Sequence, residues 1–345
     1  MKLKDCLENK RAYIIAEMSA NHGGSLEQAL KIVDAAKEAG ADCLKTQTYT
    51  ADTLTIDCHT EAFQIHGGLW DGYNLHDLYK DAYTPWEWMR PIKERCEELG
   101  IDFLSTPFDT TSVDYLEDLG EEFYKIASFE LTDIPLIRYI ARTGKPVIMS
   151  TGMGSAEDID DAVSAIRSEG NENIILLRCC SSYPTVSSNL NLSTISDMRE
   201  RFKVPVGLSD HSMGHTAAVA AAALGAAVIE KHFCLSRSIP TADSAFSMEP
   251  GEFADMVKAV HDAELAMGKV FYGVTEGEAD EIHCRRSLFI VKDVKAGDTV
   301  TSDNIRSIRA YNISGMKPKY YDEMIGKKFK ADHCMGTPLD RSMIE

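Results

Sequence analysis

The chain holds nine cysteines but no CxxC pair and no ladder of regular spacings, which argues against a disulfide-stapled scaffold and a structural zinc site. Blocks of lysine or arginine are missing too. With 36 basic against 54 acidic residues, the formal net charge is -18, and a surface of that sign does not suit nucleic acid. Long apolar runs are absent: the longest, AAVAAAALGAAVI from Ala217 to Ile229, is too short to span a bilayer and is split by Gly225, so no membrane segment is expected. The opening MKLKDCLENKRAY lacks the apolar core of a signal peptide, and with reduced cysteines it points to the cytoplasm. The adjacent Cys179 and Cys180 read as buried strand cysteines rather than a redox pair.

What is present is an alternation. Eight short β-type apolar runs occur in order: AYIIAEM, DCLKTQT, DFLSTP, FYKIAS, PVIMST, NIILLRCCS, VPVGLSD and AAVIEKHF. Amphipathic stretches with helix punctuation separate them, as expected when crossover helices join parallel strands. The first helix is read as opening on a capping box of Ser25 and Gln28, carrying Leu26, Leu30 and Val33 on one face and stopping at Gly40. Another is read from Thr84, with Pro85 at its first position and Glu87 at its third, to Gly100. Eight such units predict an α/β fold, a closed (β/α)8 TIM barrel over residues 1–270. An open doubly wound sheet is the alternative, but no GxGxxG loop follows the first strand.

After about residue 270 the pattern changes. Residues 271–284, with EGEADEIHCRR, read as a charged linker, and residues 285–345 read as a small β-rich domain of short alternating runs. That domain echoes itself. VKDVKAGDTVTSDNI aligns with KADHCMGTPLDRSMI, keeping Gly297/Gly336, Val300/Leu339 and Ile305/Ile344 in step, which predicts a pseudo-symmetric module.

Barrel active sites lie at the C-terminal ends of the strands, so the polar residues there are the candidates. They are Glu17; Lys45 and Gln47; Ser105 and Thr106; Lys125 and Ser128; Ser150 and Thr151; Ser181, Ser182 and Tyr183; Ser209 to His211; and Glu230 to His232. Strands seven and eight are neighbours in the ring, so His211 and His232 can converge on one point. Two imidazoles with no third His or Cys nearby suit an open site completed by water and substrate, and the expected cofactor is a divalent metal, Mn2+ ahead of Mg2+ or Co2+. The competing reading is a pair of loop histidines with satisfied hydrogen bonds. Lys45 and Lys125 each lie inside an apolar run, where an idle charge is costly to bury, and with the hydroxyls they form a donor-rich cluster for a phosphate or carboxylate. Schiff-base chemistry is the other use of such a lysine.

The motifs IIAEMSANHGG, LKTQTYT, YKIASFE, STGM, GLSDH, EKHF and DSAFSM occur in an order that resembles the sialic acid synthase family of phosphoenolpyruvate-dependent nonulosonate synthases. The resemblance runs nearly end to end, and the C-terminal domain resembles the family's antifreeze-like SAF domain, a β-clip. AEMSANH, GGLWDGYNLHDLYKDAYTPWEW, SSYP and ADSAFSM look most like the branch that condenses phosphoenolpyruvate with 2,4-diacetamido-2,4,6-trideoxy-L-altrose to give pseudaminic acid. Ser181 stands where the N-acetylneuraminate branch has Asn.

The resemblance implies roles. His211 and His232 would hold the metal, with Gln47 and Glu230 near its water shell; Lys45, Thr106, Lys125, Ser128, Ser150 and Ser209 would hold phosphoenolpyruvate. Glu17, Tyr183 and Asp243, with Gln47, would handle the sugar or the attacking water, so that Glu17, Lys45, Lys125 and Asp243 carry the catalysis. It also implies a domain-swapped homodimer in which one SAF domain caps the partner's barrel and lends it Arg309. The alternatives are an N-acetylneuraminate or legionaminate synthase of the same family and, from another class, a Schiff-base lysine aldolase. A carbohydrate-binding protein built on the SAF-like module would leave the strand-end residues unexplained.

Overall fold

The computed structural model describes residues 2–311 and 313–345 and divides into two compact units, one running to Gly268 and the other Lys269–Glu345. The first unit contains eight strands: β1 (Tyr13–Glu17), β2 (Cys43–Thr48), β3 (Asp102–Pro107), β4 (Tyr124–Ile126), β5 (Val147–Ser150), β6 (Ile174–Cys179), β7 (Val206–Asp210) and β8 (Val228–His232). All pair in parallel, in the order β3-β2-β1-β8-β7-β6-β5-β4. Because β1 pairs with β8, the sheet curls into the expected barrel rather than lying open. At the remaining seam β3 and β4 lie side by side, and the buried Glu121 carboxylate accepts the Ser105 N–H at 2.8 Å.

Side chains of a strand alternate between its two faces, and this parity splits the core in two. Ile14, Leu44, Phe103, Val147, Leu176 and Ile229 face outward and pack against the helices. Ile15, Cys43, Leu104, Ile148, Leu177 and Val228 face inward, together with Leu3 and Cys6 of the short helix Leu3–Asn9, which stoppers the N-terminal end. Gly207 is inward as well, and no larger residue fits there. A Cβ would meet the Val228 carbonyl oxygen at 2.2 Å and Leu177 at 2.8 Å.

Two helix starts differ from the sequence reading. Ser25 does cap helix Leu26–Glu38 by accepting the Gln28 N–H, but the Gln28 amide donates to the Asn21 carbonyl at 2.7 Å, so the box is only half formed. Leu26 and Leu30 flank a buried stripe of Ala29, Ile32, Val33 and Ala36. The helix expected from Thr84 begins only at Met89, after a 3-10 turn over Trp86–Trp88, because the Thr84 hydroxyl is bonded to His22 Nε2 at 3.1 Å instead of capping.

In the second unit β9 (Arg286–Ile290) pairs antiparallel with β10 (Ile305–Arg309). The internal echo is realised as reciprocal bonding. Val294 and His333 exchange backbone hydrogen bonds at 2.9 and 3.0 Å, while Asp332 accepts the Ala296 N–H and Asp293 accepts the Met335 N–H at 2.9 and 2.8 Å. Gly297 and Gly336 sit at φ of 88° and 89°, and Val300, Leu339, Ile305 and Ile344 share the unit's core.

Candidate active site

Inward parity, continued to the C-terminal strand ends, assembles the site. Two residues beyond each inward apolar position stands a polar one: Glu17 after Ile15, Lys45 and then Gln47 after Cys43, Thr106 after Leu104. Lys125 follows Phe123, Ser150 follows Ile148, Ser209 follows Gly207, and Glu230 and His232 follow Val228. Ser105, Asp210 and Lys231 have the opposite parity and face outward; Ser105 bonds Thr46 and Thr48 rather than the site.

The deepest layer is a chain of buried charges. Lys45 Nζ lies 3.0 Å from Glu17 Oε2 and 3.4 Å from Glu230 Oε1, and donates to Thr106 Oγ1 at 3.3 Å. Lys125 Nζ lies 3.8 Å from the other oxygen of Glu230 and donates to Ser150 Oγ at 2.7 Å and to the Ile126 carbonyl at 3.2 Å. Ser209 Oγ donates to Glu230 at 3.2 Å, and Gln47 donates to Glu17 at 3.0 Å and to Ser19 at 3.1 Å. None of these four charged groups is more than 4% exposed.

Burial and neighbours then separate the two carboxylates. Burial pushes Glu17 up to about 7, against the pull of Lys45 and with the push of Glu230. Glu230 feels the same burial, but Lys125 and Lys45 flank it and hold it below the ordinary range. Glu17 can therefore exchange a proton near neutrality while Glu230 stays an anion. Burial pulls Lys125 down; Lys45 feels a similar pull but is held above its usual value by Glu17 and Glu230. Glu17 Oε2 is taken up by Lys45 at 3.0 Å, whereas Glu230 Oε2 is buried with no hydrogen-bond partner among the described residues and so has capacity for a donor brought by ligand or water.

Above this layer stand the histidines, with ring centroids 5.3 Å apart and both rings buried. His211 Nδ1 meets the Cys180 carbonyl at 3.1 Å and Cys179 Sγ at 3.8 Å. Burial opposes the His211 charge, but the Cys179 thiol and the carbonyl hold the ring above its ordinary value; burial and the neighbouring cations push His232 well below it. His232 Nδ1 is buried with no hydrogen-bond partner among the described residues, which fits a ring meant for a ligand better than the alternative of two satisfied loop histidines. Among the described residues no three His, Cys, Asp or Glu side chains form a ready-made metal cage, so what the site offers a cation is this imidazole pair and open positions.

The remaining candidates flank the pair. Ser128 Oγ accepts the Gly152 N–H at 3.0 Å, a close approach in which a Cβ on residue 152 would strike Ser181 and Ser128. Asp243 accepts the Ala20 N–H at 3.4 Å, and burial raises its pKa. Tyr183 packs on His211 at 4.3 Å. Arg309 belongs to the second unit, exposed at the end of β10 and in register with Arg286. Two participants were missed. Cys179, read as simple packing, faces inward against His211, and its thiol, which burial alone would raise, is brought down to about 7 by that contact. Ser19, at φ 45°, receives Gln47. Inward parity after Leu177 would have found the cysteine; no periodicity marks Ser19.

Comparison with known proteins agrees with this geometry. Residues 32–272 match the NeuB family and residues 285–345 the SAF domain. The chain belongs to the NeuB family. A pseudaminic acid synthase of Campylobacter jejuni subsp. jejuni serotype O:23/36 (strain 81-176) is 44% identical over 99% of each chain, and one of Helicobacter pylori is 40% identical over 96% of this chain and 97% of its own. Among solved structures, an N-acetylneuraminic acid synthetase from Leptospira borgpetersenii serovar Hardjo-bovis superposes with a TM-score of 0.70 at 33% identity, over 79% of this chain and 90% of its own. Relatives that match this chain nearly end to end are thus pseudaminic acid synthases, and among the described residues no helix is long and apolar enough to cross a membrane.

Proposed function

We propose that the chain condenses phosphoenolpyruvate with 2,4-diacetamido-2,4,6-trideoxy-L-altrose, giving pseudaminic acid and phosphate in a cytoplasmic step. The observation that carries this reading is the buried run Lys45–Glu230–Lys125 beneath the His211/His232 pair. It supplies cations and hydroxyls for one anionic substrate and leaves a separate place, beside the imidazoles, for the other. Kinship with pseudaminic acid synthases favours the altro sugar over the precursors of N-acetylneuraminate or legionaminate.

In this reading Lys45 and Lys125, with Thr106, Ser128, Ser150 and Ser209, hold the phosphate and carboxylate of phosphoenolpyruvate. His211 and His232 would hold a divalent cation, Mn2+ ahead of Mg2+ or Co2+, which supplies Lewis acidity toward the aldehyde of the open-chain sugar. Gln47, Tyr183 and Asp243 orient that sugar, and Arg309 from the partner's SAF domain, in a swapped homodimer, takes its acyl group. With the reactants aligned, the phosphoenolpyruvate methylene carbon adds to the aldehyde carbon, whose oxygen takes a proton, and positive charge develops at the enol carbon. Glu17, poised near neutrality, takes a proton from the water that adds there. The tetrahedral intermediate then breaks its carbon–oxygen bond to phosphate, the lysines neutralise the leaving dianion, and the product closes its ring.

One observation favours a second reading, since burial lowers Lys125 as a Schiff-base lysine requires. The Glu230 carboxylate 3.8 Å from its Nζ, however, favours the ammonium form. The test is to incubate the protein with phosphoenolpyruvate and Mn2+, in parallel with the altro sugar, its manno-configured counterpart and N-acetylmannosamine, following phosphate release and product mass. Turnover of the altro sugar that is abolished by chelation is expected. Borohydride trapping of substrate on the protein, with indifference to chelator, would replace the condensation by an aldolase.

A further inference from the structure

The longest connection of the barrel, residues 49–88, joins β2 to the helix Met89–Leu99 and contains a small antiparallel turn. Gln64 bridges Asn74, Ile65 N–H donates to the Tyr73 carbonyl at 2.9 Å and Gly72 N–H returns to Ile65 at 2.9 Å. At its tip, Trp70 meets Tyr183 at 5.8 Å between ring centroids and donates its indole N–H to the Ala242 carbonyl at 3.2 Å. Tyr183 follows β6, which stands four places from β2 whichever way the eight-stranded ring is counted. The turn therefore arches over the C-terminal mouth of the barrel from one side to the other. Beneath it the aromatic contacts continue: Tyr183 to Phe246 at 5.2 Å, Phe246 to His232 at 4.8 Å and Tyr183 to His211 at 4.3 Å.

We propose that Trp70 is a specificity-determining residue, and that with Tyr183 and Phe246 it forms an apolar wall against which the methyl end of a 6-deoxy sugar packs. The proposal rests on the condensation reading above, which places the sugar's aldehyde at the imidazoles and hence its far end toward the mouth, where Trp70 lies. The indole N–H is already spent on Ala242, so it has no donor for a hydroxyl at C6. A hydroxymethyl group packed on the indole would lose water with nothing from Trp70 in exchange, whereas a methyl gains contact.

The test is the ratio of kcat/KM for a 6-deoxy sugar to that for its 6-hydroxy counterpart, in wild type, Trp70→Phe and Trp70→Ala, with KM for phosphoenolpyruvate and a thermal melt measured alongside. Wild type should prefer the 6-deoxy sugar. Trp70→Ala should cut that ratio by about 10- to 100-fold, chiefly through KM for the sugar, with KM for phosphoenolpyruvate within about twofold of wild type. Trp70→Phe, which keeps an apolar ring, should retain most of the preference. An unchanged ratio in a folded Trp70→Ala enzyme, or equal losses for both sugars, overturns the proposal. The two readings fail separately: if wild type rejects the altro sugar but accepts a manno-configured one, the sugar assignment falls, and Trp70 is judged by the same ratio within that configuration. Silence with every sugar removes both.

Discussion

Lys231 and Asp210 alternate with the two histidines along β8 and β7, and they are partners in the register between those strands. Facing away from the barrel axis, they form an ion pair with side chains 1% and 0% exposed, Lys231 Nζ to Asp210 Oδ2 at 2.7 Å. Lys231 also donates to the carbonyls of Ser212 and Gly214, and Asp210 accepts the Ser212 N–H and hydroxyl at 2.8 and 2.6 Å. The pair thus staples the turn that follows His211 to the strand that carries His232. Removing one partner strands a buried charge, at a cost of about 3–5 kcal/mol. At about 2–4 °C per kcal/mol for a large domain, Lys231→Met should lower Tm by about 6–20 °C. Metal bound per chain, read by elemental analysis, should fall as well. Asp210→Asn alone should also destabilise, leaving Lys231 with only carbonyls. In Asp210→Asn/Lys231→Met both charges are gone while Asn can still accept from Ser212, so urea unfolding of the four proteins should give a coupling of about 1–3 kcal/mol. Strict additivity, or a Lys231→Met protein within about 1 kcal/mol of wild type, would refute the reasoning that ties these loops together through the pair.

Gly207→Ala presses a methyl onto the backbone of β8 and should cost about 3 kcal/mol, the upper end for overpacking, whereas Gly152→Ala meets the Ser181 and Ser128 hydroxyls, which can rotate away, and Ser128 Cβ at 3.0 Å, which must give slightly. The second variant should therefore lose less in melting temperature than the first while KM for phosphoenolpyruvate rises, and a reversed pattern would contradict both placements. Mixing Arg309→Ala chains with His211→Ala chains should restore part of the activity if the cap acts on the partner; verified heterodimers without complementation would rule that out. Burial holds the Glu121 carboxyl well above its ordinary 4.5, so the folded state binds that proton more tightly than the unfolded chain, and stability present below pH 4.5 is lost as pH rises toward the folded-state value. Glu121→Gln keeps an acceptor for Ser105 and does not titrate, so its gain in Tm over wild type should be larger at about pH 8 than at about pH 5; equal gains would refute the assignment.

Strands buried on both faces show themselves as short apolar runs, which is why all eight could be read from the chain, with ends shifted by only a residue or two. The site was legible for a related reason: a charge inside such a run, as at Lys45 or Glu230, must face either a partner or a ligand. What the runs do not encode is contact between distant segments. Trp70 finds Ala242 across 172 residues, and the Gln28 amide goes to Asn21 because residues 19–22 fold back as a 3-10 turn, not because of any local pattern. Parity supplies part of what propensity omits. Once His211 and His232 are assigned inward, Asp210 and Lys231 must point outward, on adjacent strands and among helix side chains, where neither charge is tolerable alone. The buried pair that positions the two histidines therefore follows from the same alternation that brings them together.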